Sequence, residues 1–251
     1  MTHRTDHQRA LWVTLLFATA TSAGAQETVT QGTVAQGTIA PFTGTYNVEW
    51  RGINAGTSTL ALVRVGGNDY TYRSNNVARG LFRLAFPDGI TQRSEFSLAA
   101  DGVRPSRYHA DDGSANSKRS VTLSFDWNTM RVTGMAEGKP VDEPLKPGTQ
   151  DGLSVQIALM HELAAGRSPQ HFWLINKDEV TNYEYMREGM ATLDTPLGRL
   201  ETIIYRSQRP GSSRVTRLWF APSLGYLPVR AQQLKRGKPE FTLSIRALTR
   251  T

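Results

Sequence analysis

A chain of 251 residues, 39% hydrophobic and 20% charged, with 22 Gly and 12 Pro, has the composition of a folded domain and excludes fibrous, collagen-like and wholly disordered classes. It contains no cysteine, which excludes disulfide frameworks, thiolate metal sites and cysteine nucleophiles together. Its formal charge of +7 speaks about partners only once the charges are located.

At the amino end, Arg4 and Arg9 against Asp6 lead into an apolar stretch from Ala10 to Ala18 and then to small residues ending Ala23-Gly24-Ala25. A basic head, a short apolar core and an A-x-A end predict a secretory signal peptide, residues 1–25, cut after Ala25. The core is shorter than the roughly 20 residues that span a bilayer, and no cysteine follows the cut to carry an acyl anchor. The expected address is a bacterial periplasm, with no transmembrane anchor after cleavage. The competing reading is a buried N-terminal helix. Residues 26–40 hold a five-residue near-repeat, Gln31 to Ala35 and Gln36 to Ala40, without aromatics, and read as a flexible linker. Residues 41–251 are expected to form a single β-rich domain.

From Pro41 onward apolar residues alternate with polar ones: Tyr46, Val48 and Trp50; Val121, Leu123 and Phe125; Phe241, Leu243 and Ile245. Each run predicts a strand with one wet face. Turn signals recur at hairpin spacing, at Gly66-Gly67-Asn68-Asp69, Asp101-Gly102, Asp112-Gly113, Gly138-Lys139-Pro140, Pro210-Gly211 and Arg236-Gly237-Lys238-Pro239. An antiparallel meander of about ten to twelve strands follows, with Pro105, Pro196 and Pro228 expected at strand starts or edges. One segment has a different period. Asp151 caps a predicted helix running to Ala165, with Leu153, Ile157, Met160 and Ala164 on one face and Gly166 at the C′ position. A shorter helix is predicted from Ala78 to Phe86, ended by Pro87-Asp88-Gly89. The fold expected is all-β and mainly antiparallel, a strongly curved meander or half-barrel packed with one α-helix.

Catalytic patterns are weak. His161-Glu162 begins like a zinc-protease helix, but the second His would fall at Ala165. Ser154 and His161 lie seven residues apart, about 10 Å along the helix axis, too far for a nucleophile and its base; they read as a first-turn polar residue and a partly exposed histidine. Asp111 to Asn116 resembles half a calcium loop, but the twelfth loop position is Thr122, and a hairpin turn explains the run better. No metal or cofactor is implied. A hydrolase would have to assemble scattered residues such as Asp126, Asp151, His109 and His171.

The charges are segregated. Residues 206–251 carry ten Lys/Arg against Glu240 alone, a local excess of nine, while residues 26–205 fall three charges to the negative side. Arg214, Arg217, Arg230, Lys235, Arg236 and Lys238 are therefore candidates for contact with an anionic envelope surface. Solvated outer faces of edge strands explain them equally well. Nucleic acid is not an expected partner, since no binding motif accompanies the charge. Leu81-Phe82-Arg83-Leu84-Ala85-Phe86 reads as an aromatic lip over an apolar cavity, or else as a plug for one end of the sheet. Leu81, Phe82 and Phe86, with Trp219 and Tyr226, are the candidate ligand-binding residues.

The order of certain segments carries a resemblance. Tyr46 to Gly56, the Phe125-Asp126-Trp127 triplet, the Asp151-Gly152-Leu153-Ser154 helix start, Thr195-Pro196-Leu197-Gly198, and Leu218-Trp219-Phe220-Ala221-Pro222 leading to Tyr226-Leu227-Pro228-Val229-Arg230 together resemble an uncharacterised family of exported bacterial proteins, a domain of unknown function. The resemblance covers about residues 41–249. It implies secretion, a mostly antiparallel fold similar to calycin-like or lipoprotein-carrier-like half-barrels, and no catalytic residues to carry over. The expected role is a non-enzymatic periplasmic protein of the cell envelope whose curved sheet shelters an apolar or amphiphilic, lipid-like ligand. The alternative is an envelope module that binds another protein without a small-molecule ligand.

Overall fold

Alternation of apolar and polar residues carries through fourteen strands: β1 (Phe42–Trp50), β2 (Ile53–Gly66), β3 (Asp69–Ala78), β4 (Ile90–Ala99), β5 (Gly102–Asp111), β6 (Val121–Asp126), β7 (Arg131–Ala136), β8 (Lys139–Pro144), β9 (His171–Asn176), β10 (Glu179–Thr195), β11 (Gly198–Gln208), β12 (Arg214–Ala221), β13 (Leu227–Lys235) and β14 (Lys238–Arg250). The computed structural model describes residues 39–84, 89–99, 101–113 and 119–250. The expected signal peptide and nearly all of the expected linker lie outside the described residues, as does Phe86. Consecutive strands pair antiparallel except β8 and β9, and β14 returns to pair with β1, from Phe42 opposite Arg250 to Trp50 opposite Phe241. The two ends of the described chain thus meet in the middle of one sheet. Its free edges are β8 and β9, contributed by the middle of the chain.

Even-numbered residues of β1 and β3 point inward, Phe42, Tyr46 and Val48 facing Tyr70, Tyr72 and Ala78 in one apolar cluster that also draws on β11 through β14. Each such large side chain contributes about 1.5–3 kcal/mol by leaving water. The sheet curls until its edges approach without pairing. Gln150 bridges to Leu174 on β9, and Lys177, in the β9–β10 turn, reaches Glu137, in the β7–β8 turn, at 2.8 Å. An open barrel results, with a seam between β8 and β9. Pro140 and Pro144 stand on the β8 edge, where a missing N–H removes no ladder bond. Pro105 and Pro228 sit beside register shifts in β5 and β13, and Pro196 lies in the β10–β11 turn.

The helix α1 (Ser154–Ala164) enters through the seam and fills the barrel. It is buried on nearly every side, Leu159, His161 and Leu163 included, so the one-faced helix of the sequence reading becomes a central plug. Its polar anchors reach the sheet: Ser94 on β4 donates to Asp151 Oδ2 at 2.6 Å, and Gln156 donates to the Tyr72 hydroxyl on β3. Gly166, at φ 73°, ends it in a Schellman turn, in which Gly166 N–H donates to Leu163 O at 3.0 Å and Arg167 N–H to Glu162 O at 2.8 Å. Where the sequence predicts a second helix, β3 runs on to Ala78 and, among the described residues, the 3-10 turn Gly80–Leu84 follows.

Candidate functional site

The barrel interior offers a ligand little room. Beside the start of α1, between Tyr108, Leu123 and Ile175, a cavity of about 30 Å³ has room for a water molecule or two. Around it the inward groups satisfy one another: Gln92 donates to the Tyr108 hydroxyl at 2.8 Å and Asn76 to Ser74 at 2.8 Å. Burial pushes the Tyr46, Tyr72 and Tyr108 hydroxyls above the ordinary phenol range, so they stay protonated.

The chemistry that faces outward gathers at the end of the barrel where β1 meets β2. Trp50-Arg51-Gly52-Ile53 forms a two-residue hairpin with φ of 50° at Arg51 and 82° at Gly52, and Lys235-Arg236-Gly237-Lys238 repeats it at 51° and 78°. Two positive φ values in succession mark the primed turn that suits the twist of paired strands, with glycine taking the second position. Each turn carries an arginine at its tip. Arg51 N–H donates to Glu240 O at 3.0 Å and Arg236 N–H to Ser213 O at 2.9 Å, so the turns stand side by side as one rim. The 3-10 turn completes it: Phe82 packs edge-on against Trp50, ring centroids 5.7 Å apart, and the Arg51 guanidinium lies 4.7 Å from the Trp50 ring centre.

Anchored by Phe82, this turn thrusts Leu81 and Leu84 into solvent, 83% and 84% exposed, with Ile53 beside them at 58%. Six exposed cations are carried by the turns at this end of the barrel: Arg51, Arg79, Arg83, Lys235, Arg236 and Lys238. Two carboxylates, Glu49 and Glu240, stand near the same strand ends; Glu240 lies 3.7 Å from Arg51 and 3.6 Å from Arg214. The rim therefore combines an exposed apolar turn with an excess of exposed cations.

The structure splits the ligand-binding set expected from sequence. Leu81 and Phe82 belong to the rim. Trp219 is buried under the Arg230 guanidinium at 5.4 Å, and Tyr226 holds the β12–β13 turn at φ 59°. That turn lies at the opposite end of the barrel, where Arg250, paired with Phe42 at the start of β1, donates to Leu224 O at 2.6 Å. Of the expected anionic-surface residues, Lys235, Arg236 and Lys238 lie on the rim, and Arg214 stands just below it with Glu240. Arg217 is clamped by Glu188 through bonds of 2.6 and 3.1 Å, which raise its pKa, and Arg230 is spent on Trp219. Sequence reasoning placed Arg83 and Leu84 in the lip segment without making them site residues, and missed Trp50, Arg51, Ile53 and Arg79 as rim residues. Their signal was the repeated Arg-Gly at both hairpin tips, which gains meaning only once β14 is known to pair with β1.

The scattered hydrolytic candidates occupy four separate places. Asp126 is exposed and accepts from the N–H groups of Asn128 and Thr129, which lowers its pKa. His109 faces outward beside Thr122 at 3.0 Å, His171 opens the edge strand β9, and Asp151 is inside the barrel. His161, expected to be partly exposed, is buried, because the curled sheet leaves α1 no wet face. Ser154 serves the helix start, its Oγ accepting from Asp151 N–H at 2.9 Å. No helix among the described residues is long and apolar enough to cross a membrane.

The chain matches the family described as "Protein of unknown function (DUF3108)" over residues 45–244, which takes in α1 and reaches from β1 to β14. Within that span the Trp-Phe-Ala-Pro to Tyr-Leu-Pro-Val pair is the β12–β13 hairpin corner, Phe220 opposite Pro228 and Ala221 opposite Leu227, with Phe220, Leu227 and Val229 in the core. In fold the chain is similar to a beta-barrel-like protein of domain of unknown function DUF1849 from Brucella abortus, with a TM-score of 0.56 and 12% identity over 85% of this chain and 98% of that one. A protein described as exported, with a YmcC-like fold, from Bacteroides fragilis NCTC 9343 is similar at a TM-score of 0.31 and 10% identity, over 83% and 95% of the two chains. No curated protein sequence matches the chain.

Proposed function

The chain belongs to the family described as protein of unknown function (DUF3108), and since membership brings no activity with it, we propose from the rim that this is an exported, non-enzymatic envelope protein that meets a lipid-like amphiphile at an anionic membrane surface. The observation that carries the reading is the pair Leu81 and Leu84, held in solvent at the end of the barrel whose turns also carry six exposed cations. Each leucine would gain about 1.5–3 kcal/mol by entering an apolar phase, and each cation about 1 kcal/mol beside an anionic leaflet. Together they suffice for reversible docking, and neither alone does. The amphiphile is taken at the rim, because α1 fills the interior in which a curved sheet would otherwise shelter it. The basic head and short apolar core of residues 1–25 support export to the periplasm.

Co-sedimentation with phosphatidylcholine vesicles, with and without phosphatidylglycerol, tests this directly. The protein is expected to sediment with the anionic vesicles only, to be released by high salt, and to bind about tenfold or more weakly after Leu81→Ser with Leu84→Ser. Both leucines are exposed, so the double variant keeps its circular dichroism. Equal binding to neutral vesicles, or no binding to anionic ones, overturns the reading. One observation favours the alternative of a protein-interaction module: β9 pairs with β10 only as far as Glu184, so from Met186 to Thr195 β10 pairs with β11 on one side and with no strand among the described residues on the other. Crosslinking at that edge in envelope extracts would recover a defined partner if the alternative holds, and none if it does not.

A further inference from the structure

At the opposite end of the barrel from the rim, the seam does not close over α1. The β4–β5 turn at Asp101, the crossing segment Pro147 to Gln150 and the start of β9 enclose a cleft of about 240 Å³, whose floor is Ala158 and His161 of the helix. Its framework is stiff. Gln150 N–H donates to Trp173 O at 2.8 Å, Ile175 N–H returns to Gln150 O at 3.0 Å, and the Gln150 side-chain amide donates to Val103 O at 2.8 Å and Gly148 O at 3.1 Å. Phe172 is braced edge-on against Tyr185, ring centroids 5.1 Å apart. With both amide hydrogens spent, Gln150 has only acceptor capacity left, and its buried Oε1 has no partner among the described residues.

We propose that this cleft is a binding site for a neutral, hydroxyl-rich ring the size of one pyranose sugar. Size fixes the first part: an apolar cavity of about 150 Å³ holds benzene and drug-sized pockets begin near 300 Å³, so about 240 Å³ suits one substituted six-membered ring. Charge fixes the second. Both carboxylates on the lining are paired with a nearby arginine, Asp101 with Arg104 at 2.7 Å and Glu162 through two bonds of 2.7 Å with Arg167, so neither calls for an ionic ligand. Lining chemistry fixes the third. Trp173, whose ring also lies 6.0 Å from the Lys146 ammonium, supplies aromatic surface for the C–H face of a sugar, while Gln150, Asp101, Glu162 and the exposed His171 line the cleft with polar groups to which hydroxyls, donor and acceptor at once, can bond. The cleft shares no residue with the rim, so its occupancy is independent of membrane docking.

Saturation-transfer NMR on the purified protein decides the matter, with methyl α-glucoside and N-acetylglucosamine as neutral probes, glucose 6-phosphate as the anionic one and glucosamine as the cationic one. The neutral sugars are expected to bind with low-millimolar affinity and the charged ones about tenfold more weakly. The Trp173 indole resonance should move while that of Trp219 stays. His171 is exposed, so His171→Ala should fold normally, weaken sugar binding about fivefold or more, and leave vesicle binding unchanged. Absence of transfer to every neutral probe, equal binding of the charged ones, a shift confined to other tryptophans, or full binding by His171→Ala overturns the proposal.

Discussion

Asp151 is carried wholly inside the barrel. Its Oδ1 accepts from Leu153 and Ser154 N–H, both at 2.8 Å, its Oδ2 accepts from Ser94, and no ion pair among the described residues includes it. Loss of water dominates, so burial raises its pKa even though the hydrogen bonds from Ser94, Ser154 and Leu153 pull the other way. A folded carboxyl that holds its proton more tightly than the unfolded one is most favourable below the ordinary value of 3.8, and that advantage is lost as pH rises through the raised folded value. Asp151→Asn keeps an acceptor for the two N–H groups and removes the buried charge. It should therefore be at least as stable as the wild type at neutral pH and flatten the fall in stability above pH 4. Asp151→Ala, leaving buried donors without partners, should cost about 2 kcal/mol. Urea unfolding from pH 4 to 8 measures both, and an Asn variant as unstable as the Ala variant would show that the carboxylate charge itself is required.

At the scale of elements, much of the barrel was legible. Period-two runs such as Val121-Thr122-Leu123-Ser124-Phe125 are strands because one face is core and the other water, and Gly-containing turns fall where the hairpins turn. The rim was half legible. Leu81 and Phe82 stood out as a lip, but their neighbours Trp50 and Arg51 lie about thirty residues away and reach them only through tertiary packing. The helix misled in an instructive way. Its spacing showed one apolar stripe, yet Leu159, off that stripe, is 0% exposed, because the sheet closes round α1 from sides that no local pattern encodes. Leu159→Ala should consequently cost about 2–5 kcal/mol, the range for deleting a packed core leucine. On a helix with one wet face the same change would be nearly silent. Equilibrium denaturation distinguishes the two, and a loss below about 0.5 kcal/mol would contradict the central placement of α1.

Across the whole molecule, stability should run opposite to the order of the chain. Termini ordinarily fray, but here β1 pairs with β14 over its whole length, the two flanked by β2 and β13, and their inward residues Tyr46, Val48, Leu243 and Ile245 are all core. Tyr46 fastens the arrangement further, its hydroxyl donating to Pro228 O at 2.9 Å. The seam is the weak line: β8 carries two prolines, and the ion pair that spans the gap above it, Lys177 with Glu137, is partly exposed and worth well under about 1 kcal/mol. Pairing the two ends of the sequence also makes the decisive contacts non-local, which favours slow folding completed only when β14 docks. Native-state hydrogen exchange should accordingly find the amides of β1 and β14 among the most protected, opening only with global unfolding, and those of Val141 and Glu143 on β8 exchanging about a hundredfold or more faster by local opening. If β1 and β14 exchange as early as β8, the chain ends are not the clasp of the barrel, and the sheet opens at its middle instead of at its seam.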